Sequence, residues 1–294
     1  MILQLKGNLF LLLAAFIWGT AFVAQLVGMD DLGPFTYCSG RYILGFFAVV
    51  IVWFAMRGAR EKKKAAGEYF PGWKYGICAG LIMFGGTTTQ QISMLYTTAG
   101  KAAFLTCLYI IFVPLFSVLL KKKIRKENWI GAFLGMAGLY FLCIKDDLSW
   151  NIGDMYAFIG AIFWSFHILF IDRYADRADN IEISIGQISV CAVLSTILAF
   201  TFEEVHFSSM LNAWFPIFYA GVMSSGVAFT LQIVGQRYAE PSHAALIMSL
   251  ESVFGALSGW LILGEQMTGL EIFGCCLMMS GMLITQYSII FKNK

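Results

Sequence analysis

The chain has 294 residues, of which 59% are apolar and only 13% are charged, with a formal net charge of +2. So few Asp, Glu, Lys and Arg cannot solvate the surface of a water-soluble globular protein of this size, which leaves an integral membrane protein. The near-neutral total carries no message by itself; the placement of the charges does.

Ten apolar stretches follow one another, each near the ~20 residues that a helix needs to cross the hydrocarbon core. They cover 7–28, 34–56, 72–95, 99–120, 128–144, 152–171, 182–201, 212–235, 242–264 and 268–290. The first is of full spanning length and runs into Asp30 and Asp31 rather than a small-residue cleavage site, so a cleavable signal is not expected. The second carries Arg41 six residues after Phe35. The third is interrupted by Thr87, Thr88, Thr89, Gln90 and Gln91, which survive at membrane depth only against other helices or water. The sixth holds Trp164 and His167, the eighth Gln232, and the ninth a glutamate near its middle, Glu251. All connections are too short for a soluble domain. The fold class expected is therefore all-α and integral to the membrane, with ten transmembrane helices.

The basic residues orient the chain. If the connections alternate, one side holds Lys6, Arg57, Arg60, Lys62, Lys63, Lys64, Lys74, the run Lys121–Lys126, Arg173, Arg177, Arg237, Lys292 and Lys294. The other holds only Lys101 and Lys145, beside the acidic Asp30, Asp31, Asp146, Asp147, Glu203 and Glu204. The positive-inside rule puts both termini in the cytoplasm of a multi-pass cell-membrane protein. It also reads Lys121–Lys126 as a topogenic loop, so nucleic acid is not an expected partner.

The chain also repeats. With Tyr96 placed over Tyr238, Gln90 meets Gln232, Lys101 meets His243, Tyr109 meets Glu251 and Phe112 meets Phe254. Trp18 meets Trp164, Gly40 meets Gly186 and Arg41 meets Gln187; a one-residue slip brings Gly131 onto Gly274 and Gly138 onto Gly281. The halves, 1–147 and 148–294, hold five spans each, and five is odd, so the second half starts on the opposite side of the membrane. That is an inverted-topology repeat, the architecture of many secondary transporters, whose substrate sites lie near the midplane between the repeats.

At this point the chain resembles the drug/metabolite transporter superfamily, EamA type, over nearly its whole length. The residues that carry the likeness are Ala14-Ala-Phe-Ile-Trp18-Gly19, Arg41-Tyr-Ile-Leu, Pro114-Leu115, and Ser249-Leu-Glu251 through Leu263-Gly-Glu265. The family pattern has Glu-Pro where this chain has Glu251-Ser252, so a kink in the ninth helix would have to come from Gly255 or Ser258. The resemblance implies a carrier that moves amino acids, related metabolites or small toxic compounds. Its cavity would lie between helices one to four and six to nine, with five and ten peripheral.

Eight residues are candidates for substrate binding or coupling: Glu251, Tyr109, Trp18, Trp164, Gln90, Gln232, His167 and Arg41. An intramembrane carboxylate is costly, so Glu251 reads as a ligand for a substrate amine or as a proton carrier; the competing reading is a static partner, for Arg41 or a backbone break. The Arg41 fork suits a substrate carboxylate, or a structural ion pair. His167 reads as a proton relay or as a hydrogen-bonded interior histidine. Gln90 and Gln232 line the cavity or bond between helices. Trp18, Trp164 and Tyr109 form an aromatic lining, or simply pack.

Seven cysteines, odd in number and without C-x-x-C spacing, suggest buried small hydrophobes rather than disulfides or a metal site. No Walker loop, H-E-x-x-H or G-x-S-x-G motif is present in the sequence, so no cofactor and no enzymatic or ATP-driven activity is expected. The function expected is secondary transport, most simply export, of small metabolites such as amino acids, with protons as a candidate coupling ion and a monomer or homodimer as the unit. The alternative is a membrane enzyme or lipid-handling protein that uses Glu251, His167 and Arg41 as a reactive set.

Overall fold

The structure, a computed structural model, describes residues 2–29, 32–97, 99–143, 150–264 and 266–291. Asp30, Asp31, Lys145, Asp146, Asp147, Glu265, Lys292 and Lys294, used above, lie outside them, as does the boundary between 147 and 148. The described chain is helical: α1 (Ile2–Gly28), α2 (Pro34–Ala55), α3 (Arg57–Ala65), α4 (Trp73–Ser93), α5 (Ala99–Thr106), α6 (Tyr109–Leu119) and α7 (Lys126–Cys143). There follow α8 (Ile152–Tyr174), α9 (Asn180–Phe202), α10 (Phe207–Asn212), α11 (Trp214–Tyr219), a π-helical stretch (Ala220–Ala228) and α12 (Phe229–Gln236). The chain closes with α13 (Pro241–Met248), α14 (Glu251–Leu263) and α15 (Gly269–Phe291).

Local chemistry explains the helix ends. Pro34 and Pro241 open α2 and α13, where a missing N–H costs nothing. Asn151 and Asp154 form a capping box on α8, and Asp179 accepts from the amides of Ile181 and Glu182 at the start of α9. Gly264 ends α14 at φ 70°, a left-handed position that favours glycine.

Among the described residues, eight stretches are long and apolar enough to span a membrane. The other two expected spans, α4 and α7, are helices of 21 and 18 residues. They fall short in apolarity rather than helicity: α4 carries Thr87–Gln91, and α7 opens on Lys126, Glu127 and Asn128.

Three expected spans are not continuous helices. The fourth breaks between α5 and α6, where Leu108 N bonds Leu105 O at 3.2 Å and Ile110 N bonds Cys107 O at 3.0 Å. The ninth breaks between α13 and α14 with matching bonds, Leu250 N to Ile247 O and Ser252 N to Ser249 O, both 3.1 Å. These tight i→i−3 turns replace the kink expected at Gly255 or Ser258. The Ser249 hydroxyl reinforces one by bonding Leu246 O at 2.8 Å. Both breaks fall in the register that pairs Tyr96 with Tyr238. The eighth span widens into the π-helical stretch where it packs on α2: a Cβ on Gly45 would lie 2.9 Å from Gly221 O.

The helices assemble around α1, α2, α4, α8 and α9, with α7 and α15 paired to one side. That pair approaches too closely for side chains, since a Cβ on Gly138 would lie 2.5 Å from Gly274 O and one on Gly131 would lie 3.0 Å from Gly281 O. Gly131 and Gly135, a spacing that also suits dimerisation, are occupied within the chain by Thr285, Gly281 and Leu246. Gly76 and Gly80 seat α4 on Ile183, Gly186 and Gln187 of α9. Gly7 meets Gly235 and Tyr238, while Gly153 meets Ser93 and Tyr96.

Candidate functional site

The helix breaks meet a cavity of about 80 Å³, room for several waters. Because α14 restarts at Glu251 and α6 at Tyr109, both side chains leave the first turn of a half-helix and enter this space. Glu251 is partly buried; the Tyr109 hydroxyl donates to its Oε1 across a long 3.4 Å, and the Cys107 thiol lies 3.7 Å away. Cys107 also touches Ser252 Oγ at 3.5 Å. Thr106, 4% exposed, lines the cavity with a hydroxyl that has no partner among the described residues.

Aromatic rings form one wall. Phe229 stands 5.0 Å from the Trp18 ring and 6.1 Å from that of Trp164, nearly parallel to the latter. The Trp164 indole N–H donates to Gln90 Oε1 at 3.2 Å, whereas that of Trp18 turns to Ser224 O, in the π-helical stretch, at 3.4 Å. Gln232 donates to Gln236 at 3.0 Å, leaving its own buried carbonyl oxygen without a partner among the described residues. Toward the C-terminal ends of α1 and α4, Gln25 donates to Gln91 at 3.0 Å, and both glutamines also face methionine sulfurs, Met94 and Met29.

Arg41 enters from α2, 8% exposed. It donates to the Tyr42 hydroxyl at 2.8 Å and lies 4.6 Å above that ring, and its Nε has no partner among the described residues. No ion pair joins Arg41 to Glu251 or to any other described acid. The static Arg41–Glu251 pair weighed above is therefore not formed.

Seven of the eight candidates line this cavity: Glu251, Tyr109, Trp18, Trp164, Gln90, Gln232 and Arg41. His167 does not. It is fully buried one layer behind, bonded to Gln187 Oε1 at 2.9 Å and packed edge-on against Trp164 and Phe229. Gln187, the repeat counterpart of Arg41, is thus spent on His167, and the seventh span contributes no lining side chain. Glu251, His167 and Arg41 each bond a different partner and not one another, which removes the reactive set that the enzyme alternative needs. Lys101 and His243, which the repeat places over one another, are both engaged: Lys101 pairs with the buried Asp154 at 2.9 Å, and His243 bonds Thr285 and Gln286.

Gln25, Thr106, Ser224 and Phe229 also line the cavity and were not singled out from the sequence. Gln25 and Thr106 are polar interruptions of apolar runs, the signal that had singled out Thr87–Gln91. Phe229 carries no comparable signal in so apolar a chain.

The EamA-like transporter family model matches residues 5–144 and again 151–287. The chain belongs to the EamA-like transporter family. It is 28% identical to an uncharacterized transporter of Archaeoglobus fulgidus over 97% of this chain and 87% of the relative. It is 24% identical to the uncharacterized transporter YoaV of Bacillus subtilis, over 97% and 98%. With the uncharacterized inner membrane transporter YedA of Escherichia coli it shares 22% identity over 92% and 86%. A solved crystal structure aligns with a TM-score of 0.80 over 95% of this chain and 96% of that one; at 18% identity the likeness speaks for the fold alone. This EamA-family chain is a multi-pass membrane protein of transporter type.

Proposed function

We propose that this protein is a secondary carrier of the cell membrane that exports small metabolites, amino acids first among them, by alternating access. The observation that carries the reading is that one cavity exposes a carboxylate, Glu251, and a guanidinium, Arg41, that do not pair with each other. Two opposite charges left open in one low-dielectric space favour a solute that brings both complements. Glu251 would take the ammonium, Arg41 the carboxylate through its planar fork, and the Trp18–Phe229–Trp164 wall the side chain.

Alternating access draws support from the repeat. The family model matches the two halves separately. The contact of Gly7 with Gly235 and Tyr238 has its counterpart in that of Gly153 with Ser93 and Tyr96, and Gly131–Gly281 has its counterpart in Gly274–Gly138. The two helix breaks are likewise equivalent, and broken helices at the repeat interface suit a midplane site. On this reading 1–147 and 148–294 form two inverted five-helix halves of ten spans in all, with both termini cytoplasmic, working as a monomer or homodimer.

The test is transport by the purified protein in liposomes. Saturable movement of one or more labelled amino acids, competed by unlabelled ones, is the expected result; no movement across a broad metabolite panel would end the reading. Protons are the proposed coupling ion, carried by Glu251. Glu251→Gln should then abolish pH-gradient-driven transport while sparing exchange, and an unchanged gradient dependence would remove that role.

A further inference from the structure

The two main basic runs of the chain differ in how their charge is used. In 121–126, Lys122 pairs with Asp172 at 2.5 Å and Arg125 with Glu240 at 3.4 Å, so neighbouring acids absorb part of the charge. Around α3, Arg57, Lys62, Lys63 and Lys74 are exposed and meet no acidic partner among the described residues; of the exposed cations there, only Lys64 is paired among those residues, with Glu61 at 3.2 Å.

The segment that carries these cations is tied down on both sides. Arg60 folds inward, 5% exposed, with its guanidinium 4.0 Å above the Trp53 ring and a hydrogen bond to Trp53 O. Glu182 on α9, 1% exposed, accepts from Tyr69 Oη at 2.6 Å, Gly72 N at 2.9 Å and Trp53 Nε1 at 3.4 Å. One buried carboxylate therefore clamps the chain on both sides of α3. Close to the cations in the chain, Phe54 at the end of α2, Phe70 in the connection before α4 and Trp73 at the start of α4 are 61%, 63% and 40% exposed.

A topogenic role asks only for positive charge during insertion; it does not ask for a clamped loop. An anchored chain that carries unneutralised cations, close in sequence to exposed aromatic side chains near the ends of spanning helices, matches instead the layered chemistry of a lipid, a phosphate above and acyl chains below. We propose that the α2–α3–α4 corner is a binding site for an anionic phospholipid, with Arg57, Lys62, Lys63 and Lys74 on the headgroup and Phe54, Phe70 and Trp73 against the chains. Pre-ordering by Glu182 lowers the entropic cost of capture, and the 121–126 loop, already partly neutralised, binds such lipid more weakly.

The experiment follows thermal unfolding of the full-length protein in mild detergent during titration with phosphatidylglycerol, phosphatidylcholine or free glycerol 3-phosphate. Phosphatidylglycerol should raise the midpoint in a salt-sensitive manner and the other two should not, because the site needs headgroup and chains together. Lys62→Gln/Lys63→Gln/Lys74→Gln should weaken the phosphatidylglycerol response at least ~10-fold in concentration, whereas Lys121→Gln/Lys123→Gln should leave it unchanged. The midpoint of each variant without lipid verifies its folding, and Lys63→Gln alone, on an exposed side chain, serves as a milder version. Equal responses to phosphatidylcholine, equal losses in both variants, a response to glycerol 3-phosphate alone, or salt-sensitive stabilisation by an acidic soluble polypeptide in place of lipid would overturn the assignment.

Discussion

Glu251, Tyr109 and Arg41 show what one residue can and cannot announce. The Tyr109–Glu251 bond is long at 3.4 Å, so an arriving ammonium or proton displaces little. Tyr109→Phe should therefore change substrate affinity only a few-fold, about 1 kcal/mol or less; a loss of a hundredfold would show that the hydroxyl touches the solute itself. Arg41 differs because its Nε is already free of partners. Arg41→Gln should raise the KM for carboxylate-bearing solutes on the order of 10- to 100-fold, with Arg41→Lys between the two because an ammonium lacks the fork. Equal KM values for an amino acid and its amide in the wild-type protein would count against a carboxylate on Arg41. Glu251 was legible because a charge inside an apolar run is conspicuous. The Tyr42 partner of Arg41 was not, because a neighbour in sequence says nothing about where a guanidinium folds. Of the two readings of His167, the structure matches the hydrogen-bonded interior histidine; the sequence left both open because a polar residue in a spanning helix signals an interior position, and the cavity and the layer behind it look alike in sequence.

At the scale of elements, apolar runs gave the helices and their order, while the breaks inside them stayed hidden. Neither Cys107–Leu108 nor Ser249–Leu250 contains glycine or proline, since an i→i−3 turn keeps every residue near helical dihedrals and needs no special side chain. The π-helical stretch over Ala220–Ala228 was equally silent, although its small residues are what allow α2 to approach. Glycine matching between the halves was more informative. Gly131, Gly138, Gly274 and Gly281, paired by the repeat, turn out to be the points where α7 and α15 touch. Gly138→Leu would drive a side chain into the Gly274 carbonyl and should destabilise by about 1–3 kcal/mol or more, seen as a lower unfolding midpoint in detergent. Gly269→Leu, with open space around its Cβ position, is the control and should leave the midpoint nearly unchanged. Similar midpoints for both variants would mean that the crossing is looser than described.

At the scale of the whole molecule, inversion of the two halves is a statement about sidedness, and sidedness is measurable without knowing the solute. Charge asymmetry and an odd span count argue that Lys63 is cytoplasmic and Glu204 external. Both are exposed, and neither belongs to the cavity, so cysteine substitution at either should leave the fold intact. In a background cleared of the seven native cysteines, a membrane-impermeant maleimide applied to intact cells should label Glu204→Cys and spare Lys63→Cys. Permeabilised cells should label both. The pair is discriminating because each position tests a different half: position 63 follows the second span and position 204 the seventh, equivalent spans of the two repeats. A parallel repeat would put both on the same side, whereas an inverted one separates them. Labelling of both from outside, or of neither, would refute the inversion and with it the midplane equivalence of Tyr109 and Glu251. Labelling of Lys63→Cys alone would keep the inversion but place the termini outside.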